Sequence, residues 1–150
     1  MPMFVNKTEI SDDEVFKEMQ FHPAPSREAA RDEAAKALLV RELLRQEALK
    51  KGFLTEEDTE EAFDAGIMKL IQEEVTAPEA TAEVCRHYYD HNIERFRAGE
   101  GVKMPLPFAE VEPRIRDYLH TRSMRHGIQS YILDLAGRAK IAGFDLAAAL

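Results

Sequence analysis

Two apolar runs follow one another at helical spacing in the last third of the chain, Phe108, Val111, Ile115, Tyr118, Leu119 and then Met124, Ile128, Ile132, Leu135, Ala139. Only the polar stretch His120, Thr121, Arg122, Ser123 separates them. A continuous helix from Phe108 to Ile141 would be roughly 50 Å long at about 1.5 Å per residue. A compact domain of 150 residues is narrower than that. The helix therefore has to bend or project beyond the core, and Gly127 is the weak point.

Upstream the pattern is also helical. Ser11-Asp-Asp-Glu14 has the spacing of a capping box, in which Ser11 accepts from the third helical amide and Glu14 reaches back. That helix is expected to run to about Phe21, because His22-Pro-Ala-Pro25 removes amide donors and pushes the preceding residues out of the α region. Ser26 is the N-cap of a strong helix from Arg27 to Lys51, closed by Gly52. Its apolar residues occupy more than one face: Ala37, Val40, Leu44 and Ala48 mark one, Ala35, Leu39 and Leu43 widen it, and Leu38 extends it. Such a helix needs partners on more than one side.

Thr55-Glu-Glu-Asp58 is expected to start the next helix, with Phe63, Ile67, Leu70 and Ile71 inward. After Pro78, the residues Val84, Cys85, Tyr88, Tyr89, Asn92, Ile93 and Phe96 mark the inner face of another. The segment 97–107 is hostile to helix, and Pro107 suits the first turn of the final one. At the ends, Phe4-Val5 is β-prone with Asn6 to Thr8 turn-like, while Gly143 to Leu146 is expected to be extended and to pair with Phe4-Val5. The alanine-rich tail beyond is expected to fray. The fold class is thus all-α in one domain spanning 1–150, with a block at 1–97, a junction at 98–107 and a closing helix and segment at 108–146.

Composition narrows the function classes. A net charge of −8 argues against a general affinity for nucleic acid or an anionic membrane, both of which require a basic surface. No apolar run is long enough to cross a bilayer, and the single cysteine, Cys85, cannot form an internal disulfide. With no basic and apolar leader at the start, a cytoplasmic setting is expected. His87 and His91 have the i, i+4 spacing of a metal pair, but the apolar pattern points them to solvent and no Glu follows His87. Glu56, Glu57, Asp58, Glu60, Glu61 and Asp64 crowd one helix start, as the helix dipole favours. Arg114, Arg116, Arg122, Arg125, Arg138 and Lys140 make the last helix basic, so it could attract the acidic one. Gly99-Glu-Gly101 with Lys103 lacks the spacing of a phosphate loop, and His22, His120 and His126 have no nucleophile partner. No catalytic residue, metal or cofactor is expected.

Two blocks carry a family resemblance. Val5-Asn6 with Ile10, His22-Pro-Ala-Pro-Ser26, Val40-Arg-Glu-Leu-Leu44, Gln46-Glu-Ala48, Cys85-Arg86, Tyr88-Tyr89, Asn92 and Arg95-Phe96 form the first. Leu106-Pro-Phe108, Ile115, Tyr118-Leu119, Leu135-Ala-Gly-Arg-Ala139 and Gly143 form the second. Together they resemble the parvulin-type peptidyl-prolyl isomerases, in particular SurA-like foldases and NifM-like maturation isomerases, stripped of the catalytic domain that sits between the blocks. Lys7 departs from the glycine often found after Val-Asn in that family. The resemblance implies a helical chaperone module assembled from both chain ends, without isomerase residues. The expected function is non-enzymatic binding of apolar segments of unfolded or partly folded client proteins. Candidate peptide-binding residues are those left over when one face of each helix is buried, Leu38, Leu39, Met68, Met124 and Ile128. The alternative is a homodimeric assembly module with no client groove, and a further one is an accessory protein related to the isomerases.

Overall fold

A computed structural model describes residues 1–57, 59–97 and 104–150. They form two compact units, Met1–Val75 with Ile128–Leu150, and Thr76–Gly127.

In the first unit, strand β1 (Met3–Val5) turns at Asn6-Lys7 into β2 (Thr8–Ile10), with Phe4 opposite Glu9. Only Asn6 of the two turn residues has positive φ, 55°, a conformation asparagine tolerates. Lysine is therefore admissible at position 7. The free edge of β1 pairs with β3 (Ile141–Ala142), so the sheet order is β2-β1-β3 and all pairs are antiparallel. The expected pairing between the chain ends is present, a few residues earlier than Gly143–Leu146. Gly143 adopts φ +87°, and a Cβ there would lie 2.7 Å from the Pro2 carbonyl oxygen, so only glycine lets the chain leave the sheet this way. Leu146, expected to be extended, is instead helical. Asp145 caps the short helix α6 (Leu146–Ala149), and Leu146 is 2% exposed, because one apolar side chain there completes the core.

Helix α1 (Asp12–Glu18) opens on the capping box read from the sequence, and a 3-10 turn carries it to Phe21. Ser26 caps α2 (Arg27–Lys50), which ends before Gly52 at φ +80°. The deepest face of α2 is Ala34, Ala35, Leu39 and Leu43, with Ala48 further along; Ala37, Leu38, Val40 and Leu44 are half-buried at its flanks. Helix α3 (Glu60–Glu74) begins at Thr59 rather than at Thr55, and Asp58 lies outside the described residues. The chain first has to bury Leu54, which packs with Ala48 and Leu70, and that delays the helix by four residues. Helix α3 passes so close to this loop at Gly66 that an added Cβ would meet the Phe53 carbonyl oxygen at 2.6 Å.

The second unit contains α4 (Ala82–His91), capped by Thr81, a 3-10 turn at Ile93–Phe96, and the start of α5 (Phe108–Arg138). Cys85 and Tyr89 point inward, whereas Val84 is 49% exposed, contrary to its expected place on the inner face. Those two inward residues are four apart on one face, and Val84 falls beside it. Pro107 lies just outside α5, its carbonyl accepting from the Glu110 amide at 3.0 Å. Helix α5 is uninterrupted through Pro113 and Gly127. Its first apolar run (Val111, Ile115, Leu119) packs in the core of the second unit, and Leu135 packs in that of the first. The two ends of this helix thus contribute side chains to different cores. Two of the arginines of α5 form ion pairs within their own helix, Arg116 with Glu112 and Arg138 with Asp134.

Candidate functional site: apolar clefts around helices α1 and α2

Helix α1 is short and carries more apolar surface than it can bury. Val15 is buried and Met19 half-buried against α2, but Phe16 is 64% exposed, since residues one apart on a helix cannot share a face, and Phe21 in the turn that follows is 68% exposed. Clefts open on both sides of it. One, of about 690 Å³, is lined by Met1, Val15, Phe16 and Met19, with Asp12, Arg27, Glu28 and Arg31 at its rim. The other, of about 360 Å³, is lined by Ile10, Phe21 and Leu38, with Glu14, Lys17, Arg41 and Glu42 among the polar residues.

A third cleft, of about 370 Å³, lies between α2, α3 and the last residue, and is the most apolar of the three: Ala37, Val40, Leu44, Phe63, Ile67 and Leu150 line it, with Lys36 and Arg41. The Arg41 guanidinium sits 4.3 Å from the centre of the Phe63 ring, where the electron-rich face attracts it. The excess apolar residues of α2 read from the sequence therefore divide between two clefts, Leu38 on one side and Ala37, Val40 and Leu44 on the other.

The helix under these clefts is held by polar contacts. Glu42 takes two hydrogen bonds from Arg45, at 2.6 and 2.7 Å, and one from Gln46 at 3.2 Å. Burial pushes its carboxyl up, but these donors outweigh it and the net shift is below the ordinary value. Gln46 also donates to the Val5 carbonyl at 3.1 Å and accepts from Asn6 at 2.7 Å. Asn6 in turn accepts from the Lys140 amide at 3.0 Å, so one turn residue ties α2 to the strand from the far end of the chain.

The expected peptide-binding residues are not brought together. Leu38 lines the second cleft, while Leu39 is 0% exposed and fills the core, so it cannot line a groove; it lies at the centre of the buried face of α2. Met68 is 60% exposed, next to Ile67 of the third cleft but not lining it. Met124 and Ile128 are half-buried on α5 and line none of the three clefts. The reading missed Phe16 and Phe21, although two phenylalanines in a helix too short for two buried faces were the available signal. His87 and His91 are both exposed with ring centroids 4.0 Å apart, and among the described residues no group of three His, Cys, Asp or Glu could hold a metal ion. The Gly99–Lys103 stretch and most of the junction lie outside the described residues. No helix among the described residues is long and apolar enough to cross a membrane. No protein-family model, curated protein or solved structure matches the chain.

Proposed function

We propose that this protein is a non-enzymatic folding helper that holds apolar segments of unfolded or partly folded clients in the clefts around α1 and α2. The observation that carries the reading is the exposed pair Phe16 and Phe21 standing over two apolar-lined clefts on either side of one short helix. Exposed apolar surface gathered in this way is the physical requirement for transient client burial, worth about 25 cal/mol for each Å² removed from water. Charged rims at each cleft keep the free protein from self-association while the apolar floor accepts a side chain.

A SurA-like arrangement is part of the same proposal. It is supported by the pairing of β1 with β3 and by the packing of Leu135 and Leu146 against Val5 and Leu39, which build one module from both chain ends. It is also supported at the junction, where Arg97 bridges to Pro105 and the Leu106 amide donates to the Phe96 carbonyl at 2.7 Å. Chain ends drawn together there suit a position at which relatives carry an inserted domain. A cytoplasmic setting fits the single, buried thiol of Cys85.

The test is suppression of aggregation of insulin after its reduction, with the paired change Phe16→Ser and Phe21→Ser. Suppression by the parent protein and its loss in the variant, at unchanged helical circular dichroism, is the expected result. Unchanged suppression in the variant removes the clefts from the mechanism. Faster refolding of a proline-limited substrate would sink the non-enzymatic claim, and a tight dimer with no dye-binding apolar surface would favour the assembly module.

A further inference from the structure

The second unit has a cavity of different chemistry, and the client-binding reading does not use it. About 360 Å³ in volume, it is floored by Val111, Ile115 and Leu106 and ringed by Arg95, Arg97, Arg114 and the tyrosines Tyr88 and Tyr118. Val111 and Ile115 are almost fully buried, so the floor is dry and apolar. No carboxylate lines the cavity among the described residues; Glu94, paired with Arg97 at 3.1 Å, answers one of the three guanidiniums.

The arginines are not loose surface charges. Arg95 donates to the Tyr88 hydroxyl at 3.3 Å, which holds it over the cavity. Arg97 has its Nε atom shut off from solvent with no hydrogen-bond partner among the described residues, a buried donor whose cost a ligand acceptor would relieve. A fourth guanidinium, Arg122, lies 5.6 Å from the Tyr118 ring and 6.0 Å from the Tyr88 ring. Hydrogen bonding by Arg122, ahead of that from Tyr88, holds the Tyr118 phenol below its usual value, a sign of the positive field at the mouth.

We propose that this cavity binds a small amphipathic anion, with an aromatic or aliphatic body on the Val111–Ile115 floor and a carboxylate or phosphate head among Arg95, Arg97 and Arg114. A site of about 360 Å³ is at the small end of ligand pockets, which suits a body of one or two rings. Planar guanidinium forks match either head group, and their charge-assisted hydrogen bonds are roughly twice as strong as neutral ones.

Calorimetric titration of the full chain with 1-naphthyl phosphate, 1-naphthoate and neutral 1-naphthalenemethanol tests this. Both anions, or the one with the preferred head, should bind roughly tenfold or more tightly than the neutral compound, as one charge-assisted hydrogen bond allows. Arg114→Gln, at an exposed position, should erase most of that preference while leaving the neutral compound unchanged. Arg95→Gln gives a second reading, with circular dichroism reporting the fold of each variant. Equal affinity for anions and neutral compound, or anion binding indifferent to both substitutions, overturns the proposal. Indifference would place the anion elsewhere, for instance in the clefts of the first unit.

Discussion

The two units solve the same problem with different materials. The core of the first is aliphatic, built from Met3, Val5, Ile10, Val15, Leu39, Leu43, Leu135 and Leu146, which come from both ends of the chain. The second is built around rings: Tyr89 stacks on Phe96 at 5.0 Å, meets Phe108 edge-on at 5.5 Å, and its hydroxyl donates to the Leu106 carbonyl at 2.6 Å. Distance along the chain weighs less than it first looks. Closing a loop costs only about 0.6 kcal/mol more for each doubling of its length, so tying Phe4 to Ala142, a loop nearly three doublings longer, costs about 2 kcal/mol more than tying Tyr89 to Phe108. What differs is tolerance: branched aliphatic side chains can repack, whereas each ring has an orientation and each hydroxyl needs a partner.

Leu39→Ala should have the largest effect, a loss of about 4 kcal/mol, because the side chain is fully enclosed and leaves a cavity. Native-state hydrogen exchange should then show the amides of Val5 and Leu43 opening while those of Tyr89 and Ile115 keep their protection. Equal loss at all four sites breaks the comparison, since both cores would then melt as one block. Next, Gly66→Ala should cost about 2 kcal/mol despite the better helix propensity of alanine, since the new methyl meets the rigid Phe53 carbonyl. A neutral or stabilising result in urea unfolding would mean that the loop yields.

Two tyrosine-to-phenylalanine changes sharpen the contrast, because they should have opposite signs. Tyr89→Phe removes a made hydrogen bond and should destabilise by about 1 kcal/mol. Tyr131→Phe should stabilise by about the same amount, because the Tyr131 hydroxyl is shut off from solvent with no partner among the described residues. Burial, with the charges of Glu47 and Glu74 behind it, pushes the Tyr131 phenol up to about 12. The unfolded chain therefore releases that proton first, so stability falls from about pH 10 towards pH 12. Alkaline unfolding should lose that limb in the phenylalanine variant; an identical alkaline profile refutes the assignment. The smallest effect is at the acid end. Glu42 sits below its ordinary value, so its contribution is present above about pH 4.5 and is lost as pH falls through the lowered value. Glu42→Gln should flatten the acid limb of the stability curve, and an unchanged limb would show that Arg45 and Gln46 do not select the charged form.

Local signals were legible wherever a single residue type answers a single backbone need. Ser11, Ser26 and Gly52 mark helix ends because a hydroxyl satisfies an orphan amide and a glycine accepts positive φ. The excess apolar width of α2 was legible for the same reason, and its two flanking clefts are the physical outcome. Thr8–Ile10 was not, since a three-residue strand is specified by its partners rather than by its own composition. Thr55 and Thr59 both precede acidic pairs, and only the tertiary demand to bury Leu54 chooses between them. The arginine-ringed cavity was invisible because Arg95 and Arg97 follow α4 while Arg114 and Tyr118 lie on α5, with no spacing that announces their meeting. Of the five peptide-binding residues named from the sequence, Leu39 fell into the core because helical periodicity counts faces without ranking their depth.

The pairing of β1 with β3 has a consequence for synthesis. The strand Phe4–Val5 is synthesised before its partner Ile141–Ala142, which follows roughly seven to thirty seconds later at about 5–20 residues per second. During that interval one edge of the hairpin has no partner, and the surface that Leu135 and Leu146 will cover is bare. Until β3 is made, the nascent first unit therefore carries an open strand edge and bare apolar surface, the condition in which a growing chain is prone to aggregate.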